Sequence, residues 1–447
     1  MASPSVRLLK DRRFFPFLLS GGTSFAAPTA TLVVLLWSIP RGYVDSADPS
    51  AYGALALAFL GISSTVPTLL AAVFSGTLAD RTDKRRLMMV VNLGALLATA
   101  GIALDLLIRP GGSYAAPGAP GFFLPTWVLV LYPFWAVETA CVTIFRPTYN
   151  AALPRLVGRA DLGPANGVTY ATALLLSVAA GLTASALVPP FGAGQALAIP
   201  VALFLLAAVG LLALHGDFAP APGAARRRFV SDASEGYRYL YRRTELLELT
   251  FSALAINFLS ALAFVELGLY VQFWLALSNP IFVGLMISGG SLGAAVGTLA
   301  VNRLAFERRA GQLLWILPIF QGITIVVLGL VRTPWAAIPD MFLFGVFPGM
   351  FATVFFATVQ ATVPDDRLGR VLAADEVGSY ALIPVGQAAG GLLTVTGGIQ
   401  VTYLTAGIGT VGVGLLMGAL PELRRLGFEP EEESPPGSPA TAPPASS

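Results

Sequence analysis

Charged side chains are scarce in this chain. Only 12% of its 447 residues are Asp, Glu, Lys or Arg, whereas 55% are hydrophobic, and the mean hydropathy is +0.74. Soluble domains carry about 25% charged residues, so this composition excludes an ordinary soluble protein. The net charge of +2 says little, and no nucleic-acid partner is expected. The composition indicates a protein whose surroundings are the lipid bilayer.

Cysteine and histidine are almost absent. The one cysteine, Cys141, cannot form an intrachain disulfide, and the one histidine, His215, lies at the end of an apolar stretch with no nucleophile motif beside it. The sequence contains no P-loop, no histidine-rich metal motif and no cysteine cluster. We therefore expect no enzymatic activity, no cofactor, no metal and no direct ATP hydrolysis.

Long hydrophobic runs are abundant. Twelve of them are about 20 residues long, enough to cross a hydrocarbon core of roughly 30 Å as helices. Their side chains do not alternate between apolar and polar, which disfavours a β-barrel. The predicted fold is all-α, a polytopic membrane protein with twelve transmembrane helices over residues 14–38, 54–79, 87–108, 126–148, 167–188, 195–215, 246–275, 281–302, 312–331, 335–360, 372–396 and 400–420.

The basic residues fall on alternate loops. With the N-terminus placed inside the cell, all but three of the 27 Lys and Arg residues lie in predicted cytoplasmic segments. The exceptions are Arg41, Arg109 and Arg332. The positive-inside rule therefore predicts a multi-pass protein of the cell inner (plasma) membrane with both termini in the cytoplasm.

Two short sequences recur at matched positions. Residues 76–79 and 297–300 are both Gly-Thr-Leu-Ala, and the Pro-containing segment 150–155 has a counterpart at 360–365. The repeats predict two pseudo-symmetric six-helix bundles. The predicted divisions are an N-terminal bundle, a cytoplasmic linker with an amphipathic helix, a C-terminal bundle and a disordered cytoplasmic tail, over residues 1–215, 216–245, 246–425 and 426–447.

The linker helix is predicted to begin at a capping box formed by Asp232 and Glu235. Its apolar stripe and the preceding arginines favour a helix that lies along the inner membrane surface. A solvated linker helix is the alternative.

A dense charged motif follows the second apolar stretch. It resembles the pattern G-x-L-x-D-R-x-G-R-(R/K), with Asp83 at the position of the second glycine and Lys84 at that of the next arginine. The residues that carry the resemblance are Gly76, Leu78, Asp80, Arg81 and Arg85, and Arg86 extends the basic run by one residue. With this motif, the span count and the repeats, residues 7–425 resemble the major facilitator superfamily. The Pro-containing ends of helices 4 and 10 and the segment 367–371 are similar to its efflux branch, which includes enterobactin exporters and macrolide or multidrug efflux proteins.

The branch's antiporter motif in helix 5, a Gly-Pro followed by paired glycines, is poorly met by residues 181–186. Its counterpart in helix 11 is better preserved, as Pro384, Gly386, Gly390 and Gly391. Helix 1 also lacks the acid that many exporters of this branch carry, so proton coupling would have to use other residues.

The resemblance implies a role for Asp80 in an inner gate. It places this carboxylate against the N-terminus of helix 11 when the gate is closed, where unpaired backbone N–H groups favour a negative charge. The alternative is that the charged motif is a solvated topology signal.

Glu138 is the first candidate for binding substrate or a proton, because a carboxylate at membrane depth is costly. Tyr132, Trp135 and Thr139 are predicted to share its helical face, which would suit an amphipathic, cationic substrate. A structural acid hydrogen-bonded to another helix is the alternative.

Glu266 is the second candidate, with Tyr270 one turn later. We expect both to line a cavity in the outer half of helix 7; an acid at the wet outer rim is the alternative. Asn257 lies nine residues before Glu266, which puts the two side chains on opposite faces of an unbroken helix, so we do not expect them to line one cavity together. Asp105 and Asp340 are expected at the outer rim.

These patterns favour a secondary active transporter that exports amphipathic, drug-like or lipophilic small molecules by alternating access. The expected coupling is antiport with protons, and the expected state is a monomer. Export of siderophores or of lipids and lysolipids, and uncoupled facilitation, are alternatives within transport. A non-transporting membrane sensor or scaffold is the alternative from another class, and it would need no buried acids.

Overall fold

The fold is that of a computed structural model, which describes residues 4–9, 11–43, 48–108, 126–158, 161–219, 237–301 and 309–421. Within these ranges the regular secondary structure is helical, with no strand.

The first six membrane-length helices follow a short helix, Pro4–Leu9. They are α1 (Phe14–Arg41), α2 (Pro49–Arg81), α3 (Lys84–Ile108), α4 (Thr126–Ala152), α5 (Leu162–Phe191) and α6 (Ala193–Ala196 with Ala198–Ala213). Local sequence explains several ends. Asp48 caps α2, because its carboxylate accepts a hydrogen bond from the backbone N–H of Ala51 at 3.0 Å. Gly192 adopts φ 91° between α5 and α6, a conformation that glycine tolerates best.

The second set is α7 (Thr244–Phe264, Leu267–Leu269 and Tyr270–Trp274), α8 (Ile281–Val301), α9 (Ala310–Leu330), α10 (Pro334–Thr362), α11 (Asp365–Tyr380, resuming at Ile383) and α12 (ending at Ala419). Gly398, at φ 81°, separates α11 from α12. The chain reverses there: the hydroxyls of Thr394 and Thr402 lie 2.8 Å apart, whereas eight residues of a straight helix span about 12 Å.

The expected placement of Asn257 relative to Glu266 assumed an unbroken helix 7, but helix 7 is interrupted before Glu266. Its regular part ends at Phe264, and the chain continues through a short helical segment into a π-helix, Tyr270–Trp274. Helix 11 is also interrupted, between Tyr380 and Ile383. Pro384 explains this second break, because it lacks an N–H and its ring opposes a regular helix through the preceding turn.

The predicted twelve spans are confirmed. Ten described segments are long and apolar enough to cross a membrane, and one of these, Arg370–Ala419, contains both α11 and α12. The twelfth span is α4, which is 27 residues long.

The helices pack in two matching sets. In the first, α1 contacts α5 and α6, α2 contacts α4, and α3 contacts α6; in the second, α7 contacts α11, α8 contacts α10, and α9 contacts α12. The sets meet through α2 with α11 and through α5 with α8. The bundles are therefore related by pseudo-symmetry, as the sequence repeats predict.

Glycine allows α8 and α10 to approach closely. A Cβ added at Gly297 would overlap the carbonyl oxygen of Val346, and one added at Gly345 would overlap that of Gly290. Membrane helices gain little from the hydrophobic effect against lipid, so close backbone packing of this kind holds them together.

The linker is described only from residue 237. Residues 237–242 are helical, and Leu240, 4% exposed, packs on the C-terminal bundle. Arg243 bonds to Glu245 at 3.2 Å, and this hydrogen bond raises the pKa of the guanidinium. The proposed capping box of Asp232 and Glu235 and the C-terminal tail lie outside the described residues.

Gly345→Val tests the close packing of α8 and α10. We expect it to lower the free energy of unfolding by about 1–3 kcal/mol, because the new side chain forces two backbones apart. Thermal unfolding of the purified protein in detergent measures the change. Gly412→Val is the matched control, since nothing lies within 4 Å of a Cβ there. Equal shifts for the two variants would contradict this account.

Candidate functional site

The two ends of the bundles differ in charge. We call the end where α2 turns into α3 the basic end, because most Lys and Arg residues of the described ranges lie there. The opposite end, where α1 is followed by α2 and α7 by α8, is the far end. The gap between the bundles runs from one end to the other.

At the far end, the outer segment of α7 docks on the end of α1. Gly268 lies so close to Leu36 that an added Cβ would overlap its carbonyl oxygen. The Gln272 side-chain amide donates a hydrogen bond to the carbonyl of Trp37 at 3.0 Å. These contacts close the far end of the gap.

A second contact between the bundles lies near the middle of α2 and α11. The side chains of Thr65 and Gln387 exchange hydrogen bonds of 3.1 and 3.2 Å. Between this contact and the basic end, Arg146 of α4, Glu376 and Tyr380 of α11 are exposed. Side chains of both bundles are therefore accessible on this side of the contact between Thr65 and Gln387.

Glu266 lies at the break in α7, immediately before the segment that docks on α1. It is 0% exposed, and neither carboxylate oxygen has a hydrogen-bond partner among the described residues. The structure thus does not place it at a wet outer rim. Burying an ionised carboxylate without a partner is very costly, so this conformation accommodates the acid in its neutral form.

Tyr270 lies in the same region as Glu266. It is fully buried, its hydroxyl has no partner among the described residues, and its ring lies 5.0 Å from that of Tyr403. Asp340, 8% exposed, is more buried than a rim position suggests. A small cavity lined in part by Tyr403 adjoins this cluster.

Glu138 faces the interior of the N-terminal bundle. It is 0% exposed, and it accepts a 2.7 Å hydrogen bond from the Thr99 hydroxyl of α3. The other carboxylate oxygen has no partner among the described residues. This is the geometry that the structural alternative predicts, an acid bonded to a neighbouring helix.

The other residues predicted on that face point elsewhere. The Tyr132 hydroxyl donates to the carbonyl of Ala56 at 2.7 Å, and Thr139 approaches the carbonyl of Ser64 at 3.5 Å, so both face α2. Trp135 is 4% exposed within the main apolar cluster, with its indole N–H unpartnered among the described residues. Tyr132, Trp135 and Glu138 therefore do not converge on one open surface.

The charged motif joins three helices at the basic end. Arg85 donates hydrogen bonds of 2.8 Å to the carbonyls of Leu211 and Leu212, in the last turn of α6. A cation is favoured there by the unpaired carbonyls of a helix C-terminus. Asp83 accepts a 2.8 Å hydrogen bond from the backbone N–H of Arg86 and so caps α3, which explains an acid at this position.

Of the remaining motif residues, Arg86 lies in the first turn of α3 and the others lie in the last turns of α2. Gly76 is exposed with open space beside it, and Arg81 and Arg86 are exposed. Asp80 belongs to the same helix, and its side chain lies outside the described part. The first part of α11 contacts α2, so the gate pairing of Asp80 stays a prediction.

Sequence reasoning missed two acids in α11. Asp375, 4% exposed, accepts hydrogen bonds from Thr250 of α7 and from Ser379, and Glu376 beside it is exposed. The signal was available, since both carboxylates fall inside the predicted span 372–396. No group of three potential metal ligands from His, Cys, Asp and Glu occurs in the described part of the chain.

The family model described as a transmembrane secretion effector, MFS_3, matches residues 46–438. Among relatives, the multidrug efflux pump Tap of Mycobacterium tuberculosis is 25% identical over 394 residues, covering 83% of this chain and 86% of Tap. The enterobactin exporter EntS of Citrobacter koseri is 24% identical over 360 residues, covering 78% of this chain and 80% of EntS.

Solved transporter structures share the fold. The nucleoside transporter NupG superimposes with a TM-score of 0.74 at 10% identity, covering 92% of this chain and 99% of NupG. The xylose transporter XylE of E. coli, in an inward open conformation, gives a TM-score of 0.66 at 13% identity, covering 90% of this chain and 94% of XylE.

Thr99→Val tests whether Glu138 ties α4 to α3. We expect it to lower the free energy of unfolding by roughly 0.5–2 kcal/mol, because a buried carboxylate loses its donor. Thr396→Val is the control, since that exposed hydroxyl bonds only within its own helix. Thermal unfolding in detergent compares the two variants. A loss of stability in Thr99→Val no greater than that in Thr396→Val would show that the hydrogen bond between Thr99 and Glu138 does not stabilise the packing of α3 and α4.

Gly268→Val tests the closure of the far end. The added side chain cannot fit against the carbonyl of Leu36, so we expect the far end to open. Spin labels at Arg41 and Ser278, both exposed near this end, report the change as a longer distance in a double electron–electron resonance measurement. Gly412→Val is expected to leave the distance unchanged. An unaltered distance in the Gly268 variant would show that this contact does not hold the end closed.

Proposed function

Since this chain belongs to the transmembrane secretion effector family of the major facilitator superfamily, we propose that it exports amphipathic small molecules by alternating access, driven by proton antiport. Its basic end faces the cytoplasm, as the positive-inside rule requires, and both termini lie on that side. It works in the cell inner membrane as a monomer, since each chain holds two bundles and one gap.

The burial of Glu266 is the observation that carries the proton-coupling proposal. Its carboxylate lies two residues before Gly268, the point where α7 touches α1, and it has no partner among the described residues. Opening the far end would separate α7 from α1 and bring water to this acid. The charge state of Glu266 and the position of the outer segment of α7 are therefore linked.

In the proposed cycle, Glu266 takes up a proton when the far end is open to the outside. The neutral acid can be buried, so the far end closes and the gap opens to the cytoplasm, where substrate enters. Release of the proton to the cytoplasmic side leaves an ion that is costly to bury. The ionised state favours reopening of the far end, which releases the substrate outside.

Asp80 supplies the proposed latch at the opposite end. When the basic end closes, α2 and the start of α11 come together, and the carboxylate of Asp80 meets the unpaired N–H groups of α11. The contact already present between α2 and the first part of α11 supports this arrangement. A pairing made in only one conformation biases the equilibrium between the two.

The proposed substrates are lipophilic, drug-like compounds. This choice rests on the similarity to Tap, a multidrug efflux pump, and on a gap between bundles that are largely apolar. A siderophore is the second candidate, because EntS is an enterobactin exporter. Export of lysolipids is a third candidate, and uncoupled facilitated transport is the alternative mechanism. Transport measurements distinguish these alternatives.

Transport by the purified chain in proteoliposomes tests these proposals. With an imposed proton gradient and a panel of lipophilic cations, macrolides, siderophores and lysolipids, we expect the gradient to accelerate transport of lipophilic drug-like members. Glu266→Gln cannot change its charge, so it should reduce the gradient-dependent rate by at least about tenfold.

Glu138→Gln is the matched control, a buried acid in the other bundle. The amide oxygen of glutamine can still accept the Thr99 hydrogen bond, so we expect the gradient dependence to remain within about twofold. If the unmodified chain transports equally fast without a gradient, it is a facilitator. If only Glu138→Gln abolishes the gradient dependence, Glu138 is the coupling group instead of Glu266.

A further inference from the structure

We propose that Glu376 and Tyr380 of α11 form the site that binds the cationic group of the substrate, with Arg146 of α4 as the opposing charge across the gap. This inference rests on the proposed export function. It assigns a substrate class, organic cations with an apolar body, and a position, the cytoplasmic half of the gap.

One side of α11 is fixed against α7. Asp375 accepts a hydrogen bond from Thr250 of α7, and the Asn257 amide of α7 donates to the carbonyl of Ser379 at 3.0 Å. Glu376 and Tyr380 each follow one of these anchored positions in sequence. They therefore lie about 100° around the helix from the face that packs on α7.

The face that carries Glu376 and Tyr380 looks toward the other bundle. The first part of α11 contacts α2 of the other bundle, and Tyr380 lies near Arg146, which belongs to α4. Arg146 is exposed and lies over the ring of Phe25 in α1, 5.5 Å from its centroid. The acid and the base thus stand on opposite sides of the gap.

Glu376 is poised to accept a ligand. It is exposed in a membrane-spanning segment, and no hydrogen bond or ion pair to it occurs within the described ranges. Tyr380, 38% exposed, lies one turn away and adds an aromatic face. A carboxylate beside an aromatic ring is the arrangement that binds organic ammonium and phosphonium groups, through charge attraction and cation–π contact.

Arg146 gives the site its selectivity. When the basic end closes, the gap narrows and Arg146 approaches Glu376. A bound cation competes with Arg146 for the carboxylate, whereas a neutral molecule does not. Charge at this point therefore distinguishes a cationic substrate from a neutral compound of similar shape.

Binding to the full-length chain in detergent tests the assignment. The probes are tetraphenylphosphonium, a lipophilic cation, and triphenylphosphine oxide, a neutral compound with similar rings, both followed by isothermal titration. Glu376→Gln is expected to weaken binding of the cation at least about tenfold and to leave the neutral probe within about twofold. Glu376→Asp should recover part of the lost affinity.

Further variants separate charge from shape. Tyr380→Phe should retain binding of the cation and Tyr380→Ala should weaken it, because the ring and not the hydroxyl makes the contact. Arg146→Gln should strengthen it about two- to threefold by removing the competing charge. Glu245→Gln removes an acid paired with Arg243 and is the control expected to change neither probe.

Three results would overturn the site: undiminished binding of the cation by Glu376→Gln, equal loss of both probes, or no binding of the cation by the unmodified chain. These measurements need no proton gradient. Intact, Glu376-dependent binding together with absent transport in proteoliposomes would refute the export proposal and leave this site standing.

Discussion

The contact between the outer segment of α7 and the end of α1 is the interaction on which the rest of this structure depends. Gly268 rests on the carbonyl of Leu36, and Gln272 bonds to that of Trp37. These contacts join the two bundles at one end of the gap between them. The same contacts bury Glu266, whose carboxylate has no partner among the described residues.

Two carboxylates, Glu138 and Glu266, are equally buried but lie at different places in the fold. Glu138 has a donor, Thr99, on a helix of its own bundle, so it joins two helices of one bundle. Glu266 lies where one bundle meets the other, and its burial depends on how the bundles are placed. In the proposed transport cycle, position relative to the interface between the bundles, and not burial alone, determines which carboxylate couples a proton to the conformational change.

The fold could be predicted because the bilayer imposes it. Apolar length fixed the number of spans, and the repeats fixed their grouping into two bundles. The local irregularities could not be predicted in the same way. Helix 7 breaks near Glu266 without a proline, whereas Pro384 gave a reason for the break in helix 11. The acids of α11 carried a readable signal, yet contacts with other helices decide that Asp375 is bound to α7 and Glu376 is exposed.

The sequence by itself determined that this chain is an all-α membrane protein of two related halves, and the pattern of its charged motif pointed to the family. Those properties follow from length, hydropathy and spacing, which act locally along the chain. Only the tertiary structure decided that Tyr132 faces α2, that Glu138 bonds to Thr99 and that Asp83 caps α3 beside Arg85, which in turn binds α6. The physical reason is that the contacts of a side chain at membrane depth depend on which helix packs beside it. Helical periodicity gives the direction of the side chain and does not identify that neighbouring helix.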